Sequence, residues 1–376
     1  MMVASTSKVD PGGLAEFSVV FTDRSLNHMS QSFQLVMCEI SETLKDVYNA
    51  RHVAIVPGGG TFAMEAVARQ LATDKKCMVI RNGWFSYRWS QILDVGQISE
   101  NCAVLKARQI SEGGQAPFAP VPIADAIAAI EASRPDVLFA PHVETASGII
   151  LPDDYMAALA AAQHAHGGLF VLDCIASGAI WVDMEKTGVD VLISAPQKGW
   201  SASPAAGLVM MNEKARKIVG ENCSTSFACD LKKWSEIMEA YENGGHAYHA
   251  TMPTDALVKF RDAMKETKSI GFGTIRAKQQ ELGDKVRAAL ARRQIKSVSA
   301  EGFGAPGVVV SYTHDQDIQS GKKFAGLGLQ IAAGVPLQCD EPEDFRTFRL
   351  GLFGLDKLND VDATVARLEA ALNELM

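Results

Sequence analysis

The sequence lacks the features that mark membrane-embedded and disulfide-bonded proteins. Its 376 residues contain no run of about 18 consecutive apolar residues, the length that a membrane-spanning helix needs. The N-terminal segment MMVASTSKVDPGG has no long apolar stretch, so no secretory signal is expected there. Seven cysteines, an odd number without a CxxC pair, are typical of reduced thiols. We therefore expect a cytoplasmic protein without a membrane partner.

Signals for nucleic acids and metal ions are scarce as well. The net charge is −8 and no cluster of basic residues occurs, which argues against a nucleic-acid partner. An HxH motif, His164 and His166, ends a predicted helix that two glycines terminate. Histidines in a last helical turn interact favourably with the free carbonyl groups there, so no metal site is expected.

The pattern of apolar residues predicts an α/β fold. From about residue 50 to 210, helical segments alternate with short apolar segments that predict strands buried on both faces: HVAIV, CMVIR, CAVLK, DVLFA, LFVLD and DVLIS. Such alternation indicates a largely parallel sheet covered by helices, with ligands at the carboxyl ends of the strands. Beyond about residue 255, long helical stretches lead to the strands VVVSY and FRLGLF and a capped terminal helix. We expect an N-terminal arm (1–25), a large domain (26–265) and a small α+β domain (266–376).

Lys198 and Asp173 are the most informative pair of residues. Lys198 lies in the turn SAPQKGW after the strand DVLIS, and Asp173 ends the strand LFVLD. A lysine among small and apolar residues loses its proton more easily than a solvated one and can form a Schiff base with a carbonyl. A buried aspartate suits a pyridinium nitrogen, so the pair matches what pyridoxal phosphate requires. Taken singly, each residue also fits a loop-capping aspartate or a solvated turn lysine.

A glycine-rich turn indicates a phosphate-bearing ligand. In HVAIVPGGGTFAMEAVARQLA a strand leads through Gly58, Gly59 and Gly60 to Thr61 and a helix, whose free N–H groups and dipole favour an anion. The segment has neither the GK[ST] of a Walker A loop nor the GxGxxG of a dinucleotide site. A plain strand-to-helix turn with a threonine cap is the alternative.

Two further turns carry candidate ring contacts. Trp84 and Phe85, in RNGWFSYRW, lie where an aromatic plane could stack on a cofactor ring, although adjacent aromatics also serve as core packing. Glu144, Thr145 and Ser147, in PHVETASGIILP, follow the strand DVLFA. The hydroxyl groups of Thr145 and Ser147 could reach a phenolic oxygen or a substrate carboxylate.

In this order, the segments resemble those of the class V, fold type I aminotransferases, nearest to the alanine–glyoxylate aminotransferase group. The resemblance runs from LNHMSQSF to FRLGLFG and rests on GGGTFAMEA, HVETASG, VLDCIAS and SAPQKGW. It implies a large domain built on a mostly parallel seven-stranded sheet, a smaller C-terminal α+β domain and pyridoxal 5'-phosphate as cofactor. It also implies that the protein forms a homodimer with its active sites at the subunit interface.

The resemblance implies roles for individual residues. Lys198 would hold the cofactor as a Schiff base and then move the proton, and Asp173 would pair with the ring nitrogen. The cofactor would be bound by Gly59, Gly60, Thr61, Phe85 (with Trp84 as the fallback), Thr145, Asp173, Gln197, Lys198 and, from the other subunit, Tyr248 and Thr251. Arg349 would bind the substrate carboxylate through paired charge-assisted hydrogen bonds, with Arg346 as the competing candidate.

The sequence departs from the family near the N-terminus. The usual Gly-Pro-Gly-Pro loop is replaced by VVFTDRSLNHMSQ, so the substrate wall differs, and Arg24, Ser25 and Asn27 are candidates to line it. We expect transfer of an amino group from a small donor, such as alanine, serine, aspartate or an aminophosphonate, to a 2-oxo acid such as glyoxylate or pyruvate. One alternative is a lyase of the cysteine-desulfurase or kynureninase kind, for which Cys339 is the candidate thiol. Another is a protein of this fold that binds without turnover.

Overall fold

The protein is described by a computed structural model that covers residues 7–375, and its main feature is a seven-stranded sheet. The strands of this sheet are β1 (His52–Pro57), β2 (Cys77–Arg81), β3 (Cys102–Lys106), β6 (Val137–Pro141), β9 (Leu169–Asp173), β10 (Val191–Ser194) and β11 (Ala206–Met211). Two separate two-stranded sheets also occur. One consists of β4 (Arg108–Gln109) and β5 (Phe118–Ala119), and the other of β7 (Val143–Glu144) and β8 (Ile149–Ile150).

The order of the sheet is β1-β11-β10-β9-β6-β2-β3, and only β11 runs against the others. The predicted α/β fold with a mostly parallel seven-stranded sheet is thereby confirmed. Every residue of β2, β6, β9, β10 and β11 is buried, so both faces of these strands are covered. The prediction of two buried faces is wrong for β3, whose residues are all partly exposed or exposed, because this strand forms an edge of the sheet.

Helices connect and cover these strands. They are α1 (Gln31–Tyr48), α2 (Gly60–Leu71), α3 (Trp84–Val95), α4 (Ile123–Ser133), α5 (Asp153–His164), α6 (Met184–Thr187), α7 (Glu213–Glu221), α8 (Leu231–Glu242), α9 (Thr254–Ile270) and α10 (Phe272–Ala291). Stacked and edge-on aromatic rings fill the core under α1 and α9, where Trp200 contacts Tyr48, Trp181 and Phe260. Trp200 is the last residue of the turn that carries Lys198, so this packing holds the turn in place.

A three-stranded antiparallel sheet forms the C-terminal part of the chain. Its order is β12-β14-β13, with β12 (Val308–Tyr312), β13 (Ala332–Ala333) and β14 (Thr347–Gly351). The accompanying helices are α11 (Gln316–Gln319), α12 (Lys322–Gly326), α13 (Leu355–Leu358) and α14 (Val361–Leu375). The predicted cap of the last helix is present, since the Asp360 carboxylate accepts a hydrogen bond from Ala363 N–H at 2.9 Å.

The boundary expected between residues 265 and 266 stays a prediction. It lies inside α9, and the chain turns only at Gly271, whose φ of +99° separates α9 from α10. Within residues 7–375, no helix is both long and apolar enough to span a bilayer. All seven cysteines are unpaired.

Candidate active site

The polar residues of interest meet at one edge of the large sheet. Because β1, β2, β6, β9 and β10 all point the same way, their carboxyl ends lie together, as expected for a ligand site in an open parallel sheet. Asp173 is the last residue of β9, and Lys198 lies in the turn after the neighbouring β10. The pairing of β9 with β10 therefore brings these two residues to neighbouring strand ends although they are far apart in the sequence.

Lys198 and Asp173 influence each other's ionisation. Burial lowers the pKa of the Lys198 amine, helped by Arg349 and Arg88, while Asp173 and Glu144 act in the opposite direction. Burial raises the pKa of Asp173 to about 6, against the hydrogen bond from Ile175 N–H at 2.9 Å and the charge of Lys198. That hydrogen bond occupies Oδ1, and among residues 7–375 no donor is bonded to Oδ2. The second carboxylate oxygen is therefore available to a cationic ligand.

The glycine-rich turn brings backbone close to the strand end that carries Asp173. Gly59 is the N-cap of α2 and has no side-chain cap, and the first turn contains no acidic residue. A Cβ at Gly60 would lie 2.4 Å from Cδ1 of Ile175, so a larger residue there would have to displace the Ile175 side chain in the loop after β9. A Cβ at Gly59 would meet no atom within 4 Å, which leaves the mouth of the turn open.

Phe85 is positioned by the buried carboxylate of Glu144. Glu144 is 0% exposed and accepts hydrogen bonds from the N–H groups of Phe85, Ser86 and Ala146 and from the Ser86 hydroxyl, at 2.7 to 3.2 Å. Three of these bonds cap the start of α3, a favourable place for a negative charge. The ring of Phe85 thereby lies 5.9 Å from Nζ of Lys198. Trp84, the other candidate, packs on Tyr87 instead.

Arg349 also lies near the ring of Phe85. Its Cζ lies 5.5 Å from the centre of the Phe85 ring, and its Nε donates to the Ala333 carbonyl at 2.7 Å. Burial lowers the pKa of the guanidinium, opposed by the nearby charge of Glu144. Arg346 is hydrogen-bonded to the His314 carbonyl and has no described contact with Phe85 or Lys198. The arrangement favours Arg349 over its competitor as the carboxylate-binding residue.

Two further predicted residues hold buried polar atoms with no partner. Oγ1 of Thr145 and Oε1 of Gln197 are both enclosed and accept or donate no hydrogen bond among the described residues. Buried polar atoms without partners are costly unless a ligand supplies the missing bond. Thr145 follows Glu144, whose charge acts on Lys198, and Gln197 directly precedes Lys198. This is the pattern expected of a site that holds a polar ligand.

Four predicted residues are not brought to Lys198 within the single chain. Tyr248 is 55% exposed, and its contacts are a hydrogen bond to Thr251 at 3.1 Å and a ring contact with His28. The Asn27 amide donates to Glu16 and Ser18 on the N-terminal arm, and Arg24 is exposed. Their assigned roles stay predictions.

Arg88 and Glu144 are the functional candidates whose roles were not inferred from the sequence. Arg88 follows Phe85 by one helical turn, and the guanidinium lies 5.2 Å from the Phe85 ring and donates to the Thr61 hydroxyl at 3.1 Å. Phe85 and Arg88 are three residues apart in α3. This spacing places both side chains on one face of a helix, so the sequence could have indicated that Arg88 lies near the Phe85 ring. Nothing in the sequence near Glu144 identified the α3 N-terminus as its partner.

Cys339 lies near this site but is an unreactive thiol. It is buried, and its Sγ donates to the Arg81 carbonyl at 3.3 Å. Burial, with contributions from Glu144 and Glu341, raises the pKa of the Cys339 thiol to about 12. A thiol that stays protonated at neutral pH is a poor nucleophile, which disfavours the cysteine-desulfurase alternative.

The fold and this arrangement define a fold type I enzyme of the pyridoxal-phosphate-dependent class. A crystal structure of an alanine–glyoxylate aminotransferase from Nostoc sp. superposes with a TM-score of 0.77 at 20% identity, covering 93% of this chain and 89% of that chain. Residues 16–320 match the family Aminotransferase class-V, and the chain belongs to this family.

Curated relatives of similar length carry different names. A 2-aminoethylphosphonate–pyruvate transaminase of Pseudomonas aeruginosa is 27% identical over 326 residues, 85% of this chain and 81% of the relative. The soluble hydrogenase small subunit of a Synechococcus strain is 24% identical over 354 residues, 93% of this chain and 88% of the relative. The membership of the family establishes an aminotransferase that uses pyridoxal phosphate, and the expected activity class and cofactor are confirmed.

The residues present fit that cofactor. Asp173 offers its free Oδ2 as a counter-charge, and Lys198 offers its amine as the anchor. The unpartnered atoms of Thr145 and Gln197 supply polar contacts, and the open turn at Gly59 supplies a site for the phosphate anion.

Proposed function

We propose that the enzyme transfers the amino group of a small amino donor, of the alanine, serine, aspartate or aminophosphonate kind, to a 2-oxo acid such as glyoxylate or pyruvate. The observation that carries this proposal is that Lys198 and Arg349 both lie near the ring of Phe85, with Nζ and Cζ 5.9 and 5.5 Å from its centre. An anchor amine and a carboxylate-binding guanidinium on one aromatic ring fit a ligand that joins a flat cofactor to an α-carboxylate. The names of two relatives support an aminophosphonate or alanine as the donor and pyruvate or glyoxylate as the acceptor.

Each residue has a chemical task that follows from its surroundings. Pyridoxal phosphate, when bound, supplies an aldehyde that condenses with amines and a ring that accepts electrons. Lys198 would attach to the cofactor through Nζ. Once the donor amine had displaced it, the Lys198 amine would take the α-proton of the donor and later return it to a different atom. Its lowered pKa suits this task, because the amine must be unprotonated to accept a proton. Asp173 would hold a proton-bearing ring nitrogen through its free Oδ2. Arg349 would orient the substrate carboxylate.

A half-reaction with single donors tests this proposal. We expect the purified enzyme loaded with pyridoxal phosphate to convert its cofactor to the amine form with at least one of alanine, serine, aspartate and 2-aminoethylphosphonate, as followed by absorption. The keto product should appear in equal amount in the same mixture. Release of sulfide or of alanine from cysteine, without conversion by any donor, would contradict a transaminase and favour the lyase alternative.

The same proposal includes a homodimer in which Tyr248 and Thr251 serve the site of the partner subunit. Tyr248 is 55% exposed, Phe62 beside the glycine-rich turn is 53% exposed, and Phe17 on the arm is 92% exposed. An interface between two subunits would cover exposed aromatic side chains of this kind. The hydroxyls of Tyr248 and Thr251 bond only to each other among the described residues, so they remain available to a ligand.

A heterodimer experiment tests the shared site. One subunit carries Lys198→Ala and the other Tyr248→Ala with Thr251→Ala, and two different tags isolate the mixed dimer. Because one site then combines an intact Lys198 with an intact Tyr248 and Thr251, we expect about half of wild-type activity at limiting cofactor. A mixed dimer no more active than the Tyr248/Thr251 variant alone would show that these residues act within their own chain.

A cytoplasmic location is also part of the proposal. All seven cysteines are unpaired, and burial raises the pKa of Cys77, Cys102, Cys174 and Cys339, as is usual for reduced structural thiols. Fractionation of the producing cells, with the protein in the soluble cytoplasmic fraction, is the expected result.

A further inference from the structure

The start of α2 is a strongly electropositive point in the fold. The backbone N–H groups of Gly60 and Thr61 have no acceptor among the described residues. The helix has neither a side-chain N-cap nor an acidic residue in its first turn. The positive end of the helix dipole is therefore uncompensated by the chain itself.

Arg88 adds a full positive charge at this point. Its Nη1 donates to the hydroxyl of Thr61, the second residue of α2, at 3.1 Å. Among residues 7–375 the guanidinium has no carboxylate partner. A half-buried arginine directed at the positive end of a helix is unfavourable unless an anion lies between them.

Arg88 is also close to the chemistry. Its charge acts on both Asp173 and Lys198, and its Cζ lies 5.2 Å from the Phe85 ring. The guanidinium thus bridges the ring-stacking helix α3 and the glycine-rich turn. Its planar fork of donors matches the oxygens of a phosphate better than a point charge would.

We infer that Arg88 binds the phosphate group of the cofactor, together with Thr61 and the free N–H groups of Gly60 and Thr61. This inference rests on the use of pyridoxal phosphate by the enzyme and adds a residue to its phosphate cradle. A role limited to stacking on Phe85 is the competing explanation, because Arg88 touches that ring as well.

Comparison of pyridoxal phosphate with pyridoxal separates these explanations. Both compounds carry the aldehyde and the ring, and only the first carries the phosphate. In Arg88→Ala, equilibrium binding of pyridoxal phosphate should weaken about 10- to 100-fold, because a charge-assisted contact is lost, while the Kd of pyridoxal stays unchanged. Arg88→Gln keeps the aliphatic stem over Phe85 and should show the same selective loss, whereas Arg88→Lys should retain part of the preference.

Gln91→Ala, on an exposed position of the same helix, serves as the matched control and should bind both compounds as the wild type does. Equal weakening of both compounds in Arg88→Gln would overturn the inference in favour of ring stacking. An unchanged Kd of pyridoxal phosphate with a raised KM for a phosphonate donor would overturn it too, and place Arg88 on the substrate side. If the wild type itself failed to bind pyridoxal phosphate, the proposed function would fail before Arg88 was tested.

Discussion

Replacement of Lys198 by alanine is expected to lower kcat/KM for transamination by about 10⁵- to 10⁶-fold, the scale for loss of a nucleophile that is also the proton-transfer group. Lys198 has a lowered pKa because burial, Arg349 and Arg88 together outweigh Asp173 and Glu144. More of the amine is therefore unprotonated at neutral pH than in an exposed lysine. Steady-state kinetics with the donor found in the half-reaction provide the measurement.

A second readout for the Lys198 variant is independent of activity. Borohydride reduction of the wild type loaded with pyridoxal phosphate should fix the cofactor on the peptide that contains Lys198, as identified by mass spectrometry. Lys198→Ala should give no such adduct, and a small amine such as methylamine should restore part of the activity. Lys186→Ala is the control, because Lys186 is exposed and, within the described part of the chain, its amine forms an ion pair with Asp153 alone. Reduction that fixed the cofactor elsewhere would contradict the assignment.

The neighbourhood of Lys198 and Asp173 could be predicted because their order along the chain determines it. Each follows a buried strand, and consecutive strands joined by a helix in a parallel sheet tend to be neighbours, so their ends converge. The register bears this out, since Ile193 of β10 pairs with Asp173 of β9. The same reasoning predicted that the turn at Gly59 and the turn carrying Trp84 and Phe85 lie at this edge, whereas the choice of Phe85 over Trp84 came from the family resemblance.

Other features depended on packing that the sequence does not record. Arg88 reaches Thr61 only because α3 lies beside α2, and the apolar pattern of α3 does not specify its rotation. Glu144 is a core residue because it caps a helix that starts far from it in the chain. The exposure of β3 follows from its edge position, which the segment CAVLK alone could not reveal. In each case a tertiary contact decided the outcome.

Asp173→Asn should reduce kcat by about a hundred- to a thousandfold, the range for loss of one preorganised electrostatic contact in an enclosed site. Asparagine can still accept the hydrogen bond from Ile175 N–H, which holds Oδ1 at 2.9 Å. It has no charge to offer a protonated ring nitrogen, so the loss should fall on kcat more than on the KM of the donor. The Arg349 side of the site is left unaltered by the change.

At pH 8, Asp173→Asn should also stabilise the cofactor-free protein against unfolding. A substitution that only disrupted the structure would destabilise it instead. Because folding raises the pKa of Asp173 from 3.8 to about 6, the fold favours the protonated carboxyl. The contribution of this group to stability is complete below about pH 4 and is lost as the pH rises through 6. At pH 8 the buried carboxylate is therefore a cost, and the free energy of unfolding of the neutral variant should be about 3 kcal/mol higher, a difference that vanishes near pH 4.

Asp190→Asn provides the contrast for this stability measurement. Asp190 is also buried, but both of its oxygens are bonded, to Phe170 N–H, His164 and Asn212 at 2.7 to 2.8 Å. Loss of charge there removes satisfied bonds and should destabilise the protein at pH 8. Denaturant unfolding of both variants without cofactor, at pH 4 and pH 8, would show opposite signs at pH 8. Destabilisation of both variants would mean that Asp173 is a structural carboxylate. Stabilisation by Asp173→Asn and destabilisation by Asp190→Asn would mean that the fold retains an unfavourable charge at Asp173 for a ligand that neutralises it.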